Sequence, residues 1–297
     1  HAAFVWRSEM QKKQKIGFLY ILPALVLFFI FVAYPIIFNF YIGFHKWSGL
    51  GEPVWVGLKN YKKVFSEPVF KTVLKNFVII TGLFVILDSV FGMIIAAFLN
   101  LKLKMSKAAR LLIYLPNILS SVVIGYAFQM LLETNNGIVN VWLRKLGLQN
   151  LAQQWLINPK LVIYVILAIL LWQGVGFAMV LYTSGISGIP QELYEAAKID
   201  GAGETKQFFY ITVPLLRGTT YTLVILNVIT YIKLFDLVQV LTNGGPGTTT
   251  YTFTIYVYNK AFTLYDMGGA SAVATIMLVI SLILTAIQLK MYDKGKE

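Results

Sequence analysis

The 297-residue chain has no cysteine and only two histidines, His1 and His45. That excludes a disulfide framework, thiolate chemistry and the usual His/Cys zinc or redox-metal sites. Charge is scarce too. Asp, Glu, Lys and Arg make up 13% of the residues, about half the ~25% of a soluble domain. With 58% hydrophobic residues, one or two globular cores of this size cannot hide the apolar surplus, so the bilayer must act as solvent for much of it. Acid is the rarer sign of charge: 13 Asp and Glu stand against 25 Lys and Arg, a net +12. In a membrane chain such an excess collects in loops facing the anionic cytoplasmic leaflet. No basic cluster lies on a soluble face, which excludes a nucleic-acid partner. The phosphate-cradling pattern G-x-x-x-x-G-K-[ST] is also absent, so ATP hydrolysis is not expected on this chain. The sequence opens on His1, read as a trimmed start, and residues 1–6 carry no argument.

What is present is a series of long apolar runs. A helical span needs about 20 of them in a row, and the fold expected is an all-α integral membrane protein with six transmembrane helices at 16–44, 77–99, 111–132, 161–184, 219–241 and 269–289. Pro23 and Pro35 interrupt the first run, and no small-residue cleavage pattern follows a short core, so it is read as a retained span rather than a signal peptide. The connections are a tail at 1–15, loops at 45–76, 100–110, 133–160, 185–217 and 242–268, and a tail at 290–297. An even number of spans puts both termini on one side. Placing them inside gives that side fourteen Lys/Arg and the outside ten, with Lys233 left within a span; the bias favours cytoplasmic termini.

Glycines at 92, 125, 174, 176 and 185 offer points of close helix approach. Asp88, Lys233 and Asp236 put ionisable groups inside spans, each costing about 2.5–3.5 kcal/mol on insertion scales. Lys233 and Asp236 read as an i, i+3 pair, the other reading being a direct substrate role, and Asp88 reads as a hydrogen bond to a neighbouring helix.

The loop GISGIPQELYEAAKIDGAGETKQFFYITVPLLR, 185–217, is too apolar to be merely solvated. Pro190, Gln191 and Glu192 start a helix whose face holds Leu193, Ala196 and Ala197. Gly201 and Gly203 break it, and a second short helix is expected from Glu204 to Ile211 before Pro214 stops it. Phe208, Phe209 and Ile211 then lack a span to pack into. The loop reads as a plug for a groove on another protein or as an amphipathic segment on lipid headgroups.

Glu195-Ala196-Ala197, Gly201, Ile211 and Pro214 at these spacings resemble the EAA loop of ABC-importer permease subunits, with Val213 where that family usually has Leu. LWQGVGF ahead of the loop, KLFDLVQVLTNGGPGTT after it and VGLKNY near Val56 are similar to the carbohydrate branch, the subunit type of the maltose permease MalF, over nearly the whole chain. The resemblance implies a permease core at 77–289 in a bacterial or archaeal cytoplasmic membrane. It implies a second related permease subunit as heterodimer partner, two cytoplasmic ABC ATPase subunits, an extracytoplasmic sugar-binding protein and a sugar substrate. Coupling would run through Glu195, Ala196, Ala197, Asp200, Gly201, Phe208, Ile211 and Pro214, with Glu195 as polar anchor and Gly201 at the bend. No cofactor is expected on this chain, ATP and Mg being held by the partner ATPase.

Sugars are held by aromatic faces and by amide or hydroxyl groups. Gln173, Gly174 and Phe177 in span 4, with Asn227, Thr230 and Tyr231 in span 5, offer that mixture near mid-span; ordinary polar helix packing is the other reading. Residues 251–264 fit either a strand or a helix face of Phe253, Tyr256, Val257, Ala261 and Leu264, and the resemblance favours an interfacial helix. With the basic loop from Lys46 to Lys75, this surface is where the binding protein is expected to land. The rival function is an ion-coupled secondary transporter using Asp88 and Lys233/Asp236, but no inverted second half is present. An intramembrane enzyme lacks a nucleophile and base.

Overall fold

A computed structural model describes residues 20–100 and 106–294. The expectations for the first tail, residues 16–19, 101–105 and the last three residues, Lys12, Lys13, Lys15, Lys102, Lys104 and Lys296 among them, lie outside the described residues.

Among the described residues the chain is built from helices. Helix α1 spans Tyr20–Gly43 and passes straight through Pro35. A proline lacks an amide and crowds the carbonyl four residues back. Here the five residues Phe29–Ala33 wind as a π turn, so that the Tyr34 amide reaches the Phe29 carbonyl just before the ring. The same device recurs at Phe208–Thr212, where the Val213 amide bonds to the Phe208 carbonyl ahead of Pro214.

A two-residue hairpin follows, β1 (His45–Lys46) against β2 (Val54–Trp55), antiparallel with His45 opposite Trp55. Then come α2 (Lys59–Ser66) and α3 (Pro68–Asn100). The latter begins well before the expected span start at 77. Lys71 and Lys75 mark the edge of the apolar run, yet the buried face continues through Phe70, Val73 and Asn76, so the helix projects past it.

The expected span at 111–132 is broken in the structure. Helix α4 (Ser106–Ile118) and α5 (Ser121–Leu131) meet at 94°. Pro116 weakens the last turn of α4, and Ser120 takes an extended conformation, φ −61° and ψ 133°, which starts the chain in a new direction. Helix α6 (Ile138–Lys145) sits in the loop before α7 (Val162–Ser187). Next come α8 (Gln191–Ile199), α9 (Glu204–Leu215) and α10 (Arg217–Tyr231), the last two bent by 61°.

The expected span 219–241 is likewise interrupted. It breaks after Tyr231, and α11 (Asp236–Thr242) resumes beyond Phe235, whose φ of −137° and ψ of −67° are not helical. Lys233 and Asp236 flank that break and are both exposed. The expected i, i+3 ion pair is therefore corrected: none joins them among the described residues, because the helix that would align them is absent. Helix α12 (Phe253–Tyr258), extended by a π turn at Asn259–Thr263, and α13 (Met267–Lys294) complete the chain. Among the described residues four helices are long and apolar enough to cross a membrane, or up to six if each bent pair counts as one span.

Packing centres on α3 against α7, with α4 and α10 flanking them, α11 on α5 and α1 lying along α13. Close approach is made possible by glycine. A Cβ on Gly92 would lie 2.5 Å from the Ala178 Cβ, and one on Gly176 would lie 2.5 Å from the Ile113 carbonyl oxygen. Gly125, Gly174 and Gly185 meet side chains at similarly short range.

The end of the bundle opposite residues 185–217 is tied by polar groups. Lys260, 2% exposed, is 2.9 Å from Glu67 and 3.8 Å from Asp266, and Asp266 is 3.3 Å from Lys63. Tyr256 hydrogen-bonds the other Glu67 oxygen, and Lys260 sits 5.1 Å from the Tyr256 ring centre. Burial, followed by that carboxylate, pushes the Tyr256 hydroxyl well above its usual pKa. This network joins α2 and α3 to α12 and α13. Residues 253–263 are helical, settling the ambiguous period, and Phe253, Tyr256 and Ala261 pack into the protein while Leu264 is exposed.

Candidate functional site

Segment 185–217 folds as two helices at a sharp bend. Pro190 caps the first with an extended backbone, φ −57° and ψ 131°, and Glu192 sits in its first turn, where the helix dipole favours acid. Helix α8 ends in a Schellman motif. The Ala202 amide bonds the Ala197 carbonyl at 2.8 Å and the Gly201 amide bonds the Lys198 carbonyl at 3.1 Å. Gly201 carries φ +76°, the left-handed conformation that only glycine adopts freely. Among the described residues, its chain neighbours apart, no atom lies within 4 Å of a Cβ built there. Within this chain the glycine is thus required by the bend itself rather than by a neighbour.

Helix α9 continues past the expected stop at Ile211. Pro214 is accommodated by the preceding π turn, and the helix runs to Leu215. It is pinned back on the first helix and on the bend: the Tyr194 hydroxyl is 2.9 Å from Thr212 Oγ1, and Gln207 Nε2 donates to the Ala202 carbonyl of the bend at 2.7 Å. Glu195 accepts from Gln191 at 3.1 Å. These bonds brace the pair as one unit against α3 and α7. A cleft of about 470 Å³ lies between them, lined by Ala97, Asn100, Ile186, Tyr194, Gln207 and Phe208.

The outward surface of this unit sets bare apolar side chains among charged ones, Glu192, Lys198, Glu204 and Lys206 being exposed too. Leu193 is 43% exposed, Ile199 87%, Phe209 60% and Tyr210 80%. Glu195, Ala196, Asp200 and Gly201 are exposed with them, whereas Ala197, Phe208, Ile211 and Pro214 are half-buried. Ile199 and Tyr210 belong to this surface although the motif does not mark them. Their signal in the sequence is the bare apolar residue beside a helix end, which periodicity alone does not assign.

The mid-span residues fall into separate contacts. Asn227 Nδ2 donates to Asp88 Oδ2 at 2.8 Å, both side chains buried, and Tyr231 packs on Phe84 with ring centres 4.1 Å apart. Gly174 faces that same Phe84 ring. Gln173 Nε2 instead reaches the break between α4 and α5, at 3.3 Å from the Leu119 carbonyl and 3.2 Å from Ser121 Oγ. Phe177 packs in the cluster around Ala178 and Tyr182, and Thr230 is exposed with its hydroxyl returned to the Leu226 carbonyl at 2.8 Å. Tyr231, Gly174 and Phe84 therefore meet, while Gln173, Phe177 and Thr230 point elsewhere.

The turn Asn243–Gly247 ahead of α12 uses left-handed Asn243 and Gly244, and the Thr250 hydroxyl closes it on the Gly245 carbonyl at 3.0 Å. Asn76 of α3 donates to the Thr249 and Tyr251 carbonyls at 2.7 and 2.9 Å, fixing this turn to the bundle.

Comparison with known proteins places this arrangement. The chain is 37% identical over 285 residues to the probable ABC transporter permease protein YurN of Bacillus subtilis, covering 95% of this chain and 97% of that one. It is 31% identical over 285 residues to the trehalose/maltose transport system permease protein MalF of Thermococcus litoralis, covering 94% of each. A chain in the crystal structure of a bacterial alginate ABC transporter, in complex with alginate pentasaccharide-bound periplasmic protein, superposes with a TM-score of 0.84 at 22% identity, over 95% of this chain and 96% of that one. Residues 88–295 match the model of one family, and the chain belongs to it: the binding-protein-dependent transport system inner membrane components.

Proposed function

We propose that this chain is the permease subunit of an ATP-driven sugar importer, crossing the membrane six times with both termini cytoplasmic and translocating a sugar or oligosaccharide delivered by an extracytoplasmic binding protein. The observation that carries the mechanism is the braced two-helix unit at 185–217. Its bend, its internal hydrogen bonds and the bare apolar side chains set among its charged ones suit a rigid body seated in a groove of another protein rather than a strip lying on headgroups. Six spans follow when α4 with α5 counts as one broken crossing and α10, joined at a bend to α9, belongs to another; such breaks are tolerated where they face protein or a water-filled path. A sugar cargo is supported by the relative named for trehalose/maltose transport.

In this reading two ABC ATPase subunits hold ATP and Mg, a second related permease subunit completes the path, and closure of the ATPases moves α8 and α9 as a lever. The force passes to α10, which continues from α9, and to α7, which ends at the same place. The two permease halves then rock between inward-facing and outward-facing states. The test is ATP hydrolysis by the co-expressed complex in lipid discs. Stimulation by a sugar-loaded binding protein, lost with Gly201→Val, supports the coupling role. Absence of a co-purifying ATPase together with uptake driven by an ion gradient overturns it.

A further inference from the structure

Helix α5 buries one face and leaves the other bare. Ile124 and Gly125 pack inward, a Cβ on Gly125 lying 2.8 Å from Val240 of α11. Tyr126 and Gln129 lie along the opposite side, Tyr126 being 59% exposed and Gln129 exposed as well, with Val122, Val123 and Met130 bare beside them; Glu133 follows two residues beyond the helix end and is exposed too. Gln129 makes no hydrogen bond with the described residues. An amide without a partner is costly against hydrocarbon, so the Gln129 side of this helix belongs on a water-filled path or against protein. At its far end it opens into a cleft of about 350 Å³, lined by Gln129, Glu133, Thr134, Thr242, Gly245 and Pro246 among others. Glu133 is the one charged side chain in that lining.

The carboxylate is fixed in place. The Asn135 amide donates to Glu133 Oε2 at 3.0 Å and the Asn136 amide donates to the same oxygen, which holds the Glu133 carboxyl below its usual pKa and keeps it ionised at neutral pH. Arg144 braces the turn through the Asn135 and Thr134 carbonyls at 2.7 and 2.9 Å, and forms no ion pair with Glu133 among the described residues. The charge at the mouth is accordingly negative and uncompensated within the cleft.

Resting on the importer reading above, we propose that Tyr126, Gln129 and Glu133 form the outer segment of the sugar path, and that this segment admits uncharged saccharides while Glu133 disfavours acidic ones. The aromatic ring supplies a face for a pyranose, the amide pairs with hydroxyls, and the carboxylate accepts from hydroxyls while repelling an approaching anion. The face leads from the α4/α5 break, where Gln173 is hydrogen-bonded, to the cleft beside Glu133.

The chain has no cysteine, so single-cysteine variants report position without a background from this subunit. Tyr126→Cys, Gln129→Cys and, as a buried control, Ile124→Cys are made in the complete complex in lipid vesicles. Each is labelled with a cationic and an anionic methanethiosulfonate, with and without vanadate-trapped nucleotide, and this subunit's band is read. The expected result is labelling at 126 and 129 that rises with trapping, with the cationic reagent favoured roughly fivefold or more and that preference collapsing when Glu133→Gln is added. Labelling only by a lipid-soluble maleimide puts the face on lipid and overturns the proposal. No labelling by any reagent in either state puts it under the partner subunit and overturns it equally. A charge preference unmoved by Glu133→Gln overturns the selectivity. If instead the complex lacks nucleotide-stimulated turnover, it is the importer reading that fails.

Discussion

Asn227 and Asp88 share a buried hydrogen bond of 2.8 Å that joins α10 to α3 in the middle of the bundle, and the second Asp88 oxygen has no partner among the described residues. An amide donor needs only an acceptor opposite it, which an Asn at position 88 also provides. Asp88→Asn is expected to keep stability and uptake near those of the parent. Asp88→Leu strands the Asn227 amide, at a cost of roughly 1–2 kcal/mol. Thermal unfolding of the purified complex, paired with sugar uptake, checks both. Uptake lost in Asp88→Asn with folding intact would point to a role for the acid's proton.

Gly201 tests whether the bend or the groove demands glycine. A β-branched residue in the left-handed region costs about 1–2 kcal/mol, whereas Asn adopts it readily. Gly201→Val is expected to abolish sugar-stimulated ATP hydrolysis with membrane amounts unchanged, and Gly201→Asn to retain most of it. If Asn fails as Val does, the ATPase side of the interface approaches the Cα closely.

Much of this was legible in the sequence, and the exceptions share a cause. Apolar runs located the four long apolar helices, and glycines at 92, 125, 174, 176 and 185 marked real contacts because a missing side chain is itself visible in a sequence. The bend at Gly201 was legible for the same reason. What hydropathy did not show was direction: it counts the apolar residues across Pro116–Ser121 and across Ile232–Phe235 without registering that the helix turns between them. The π turns before Pro35 and Pro214 were equally hidden, since nothing local distinguishes a proline that stops a helix from one that is accommodated. Side-chain direction limited the path residues: Asn227 and Tyr231 are one turn apart, yet their partners, Asp88 and Phe84, lie more than a hundred positions earlier.

Helix crossing by backbone contact predicts a sharp contrast between two glycines. A Cβ on Gly176 would sit 2.5 Å from the Ile113 oxygen and 2.8 Å from Tyr114 Cα, which are backbone and cannot rotate away, while nothing lies within 4 Å of one on Gly82. Gly176→Ala is expected to destabilise by about 1–3 kcal/mol through forced separation of α4 and α7. Gly82→Ala should be neutral or slightly stabilising, as helix propensity favours Ala by about 1 kcal/mol. Melting temperatures of the two variants, measured in the same lipid, decide it.

The Lys260 network separates buried from exposed charge. Glu67→Gln leaves a cation that is 2% exposed with Asp266 as its remaining ion-pair partner at 3.8 Å, and a loss of about 3 kcal/mol is expected. The side chain of Lys63 is 61% exposed, and Lys63→Met should change stability by less than about 0.5 kcal/mol. Equal effects from the two variants would show that the network contributes nothing beyond surface attraction.

The Tyr256 hydroxyl carries a pH signature of the same network. Its pKa is raised above the ordinary 10.0 by burial and by the Glu67 carboxylate, so the folded state holds this proton more tightly than the unfolded chain does. The linked stability is fully present below pH ~10, where both states are protonated, and declines as pH rises above it, because the unfolded chain then ionises first. Lysines titrate in the same range, so the measurement is a difference: melting temperature from pH 8 to 11 for the parent and for Tyr256→Phe. The parent is expected to fall more steeply above pH 10 than the variant. Parallel curves would mean that the hydroxyl feels no more of the Glu67 charge when folded than when unfolded, and would remove Tyr256 from the network that holds α12 to the start of α3.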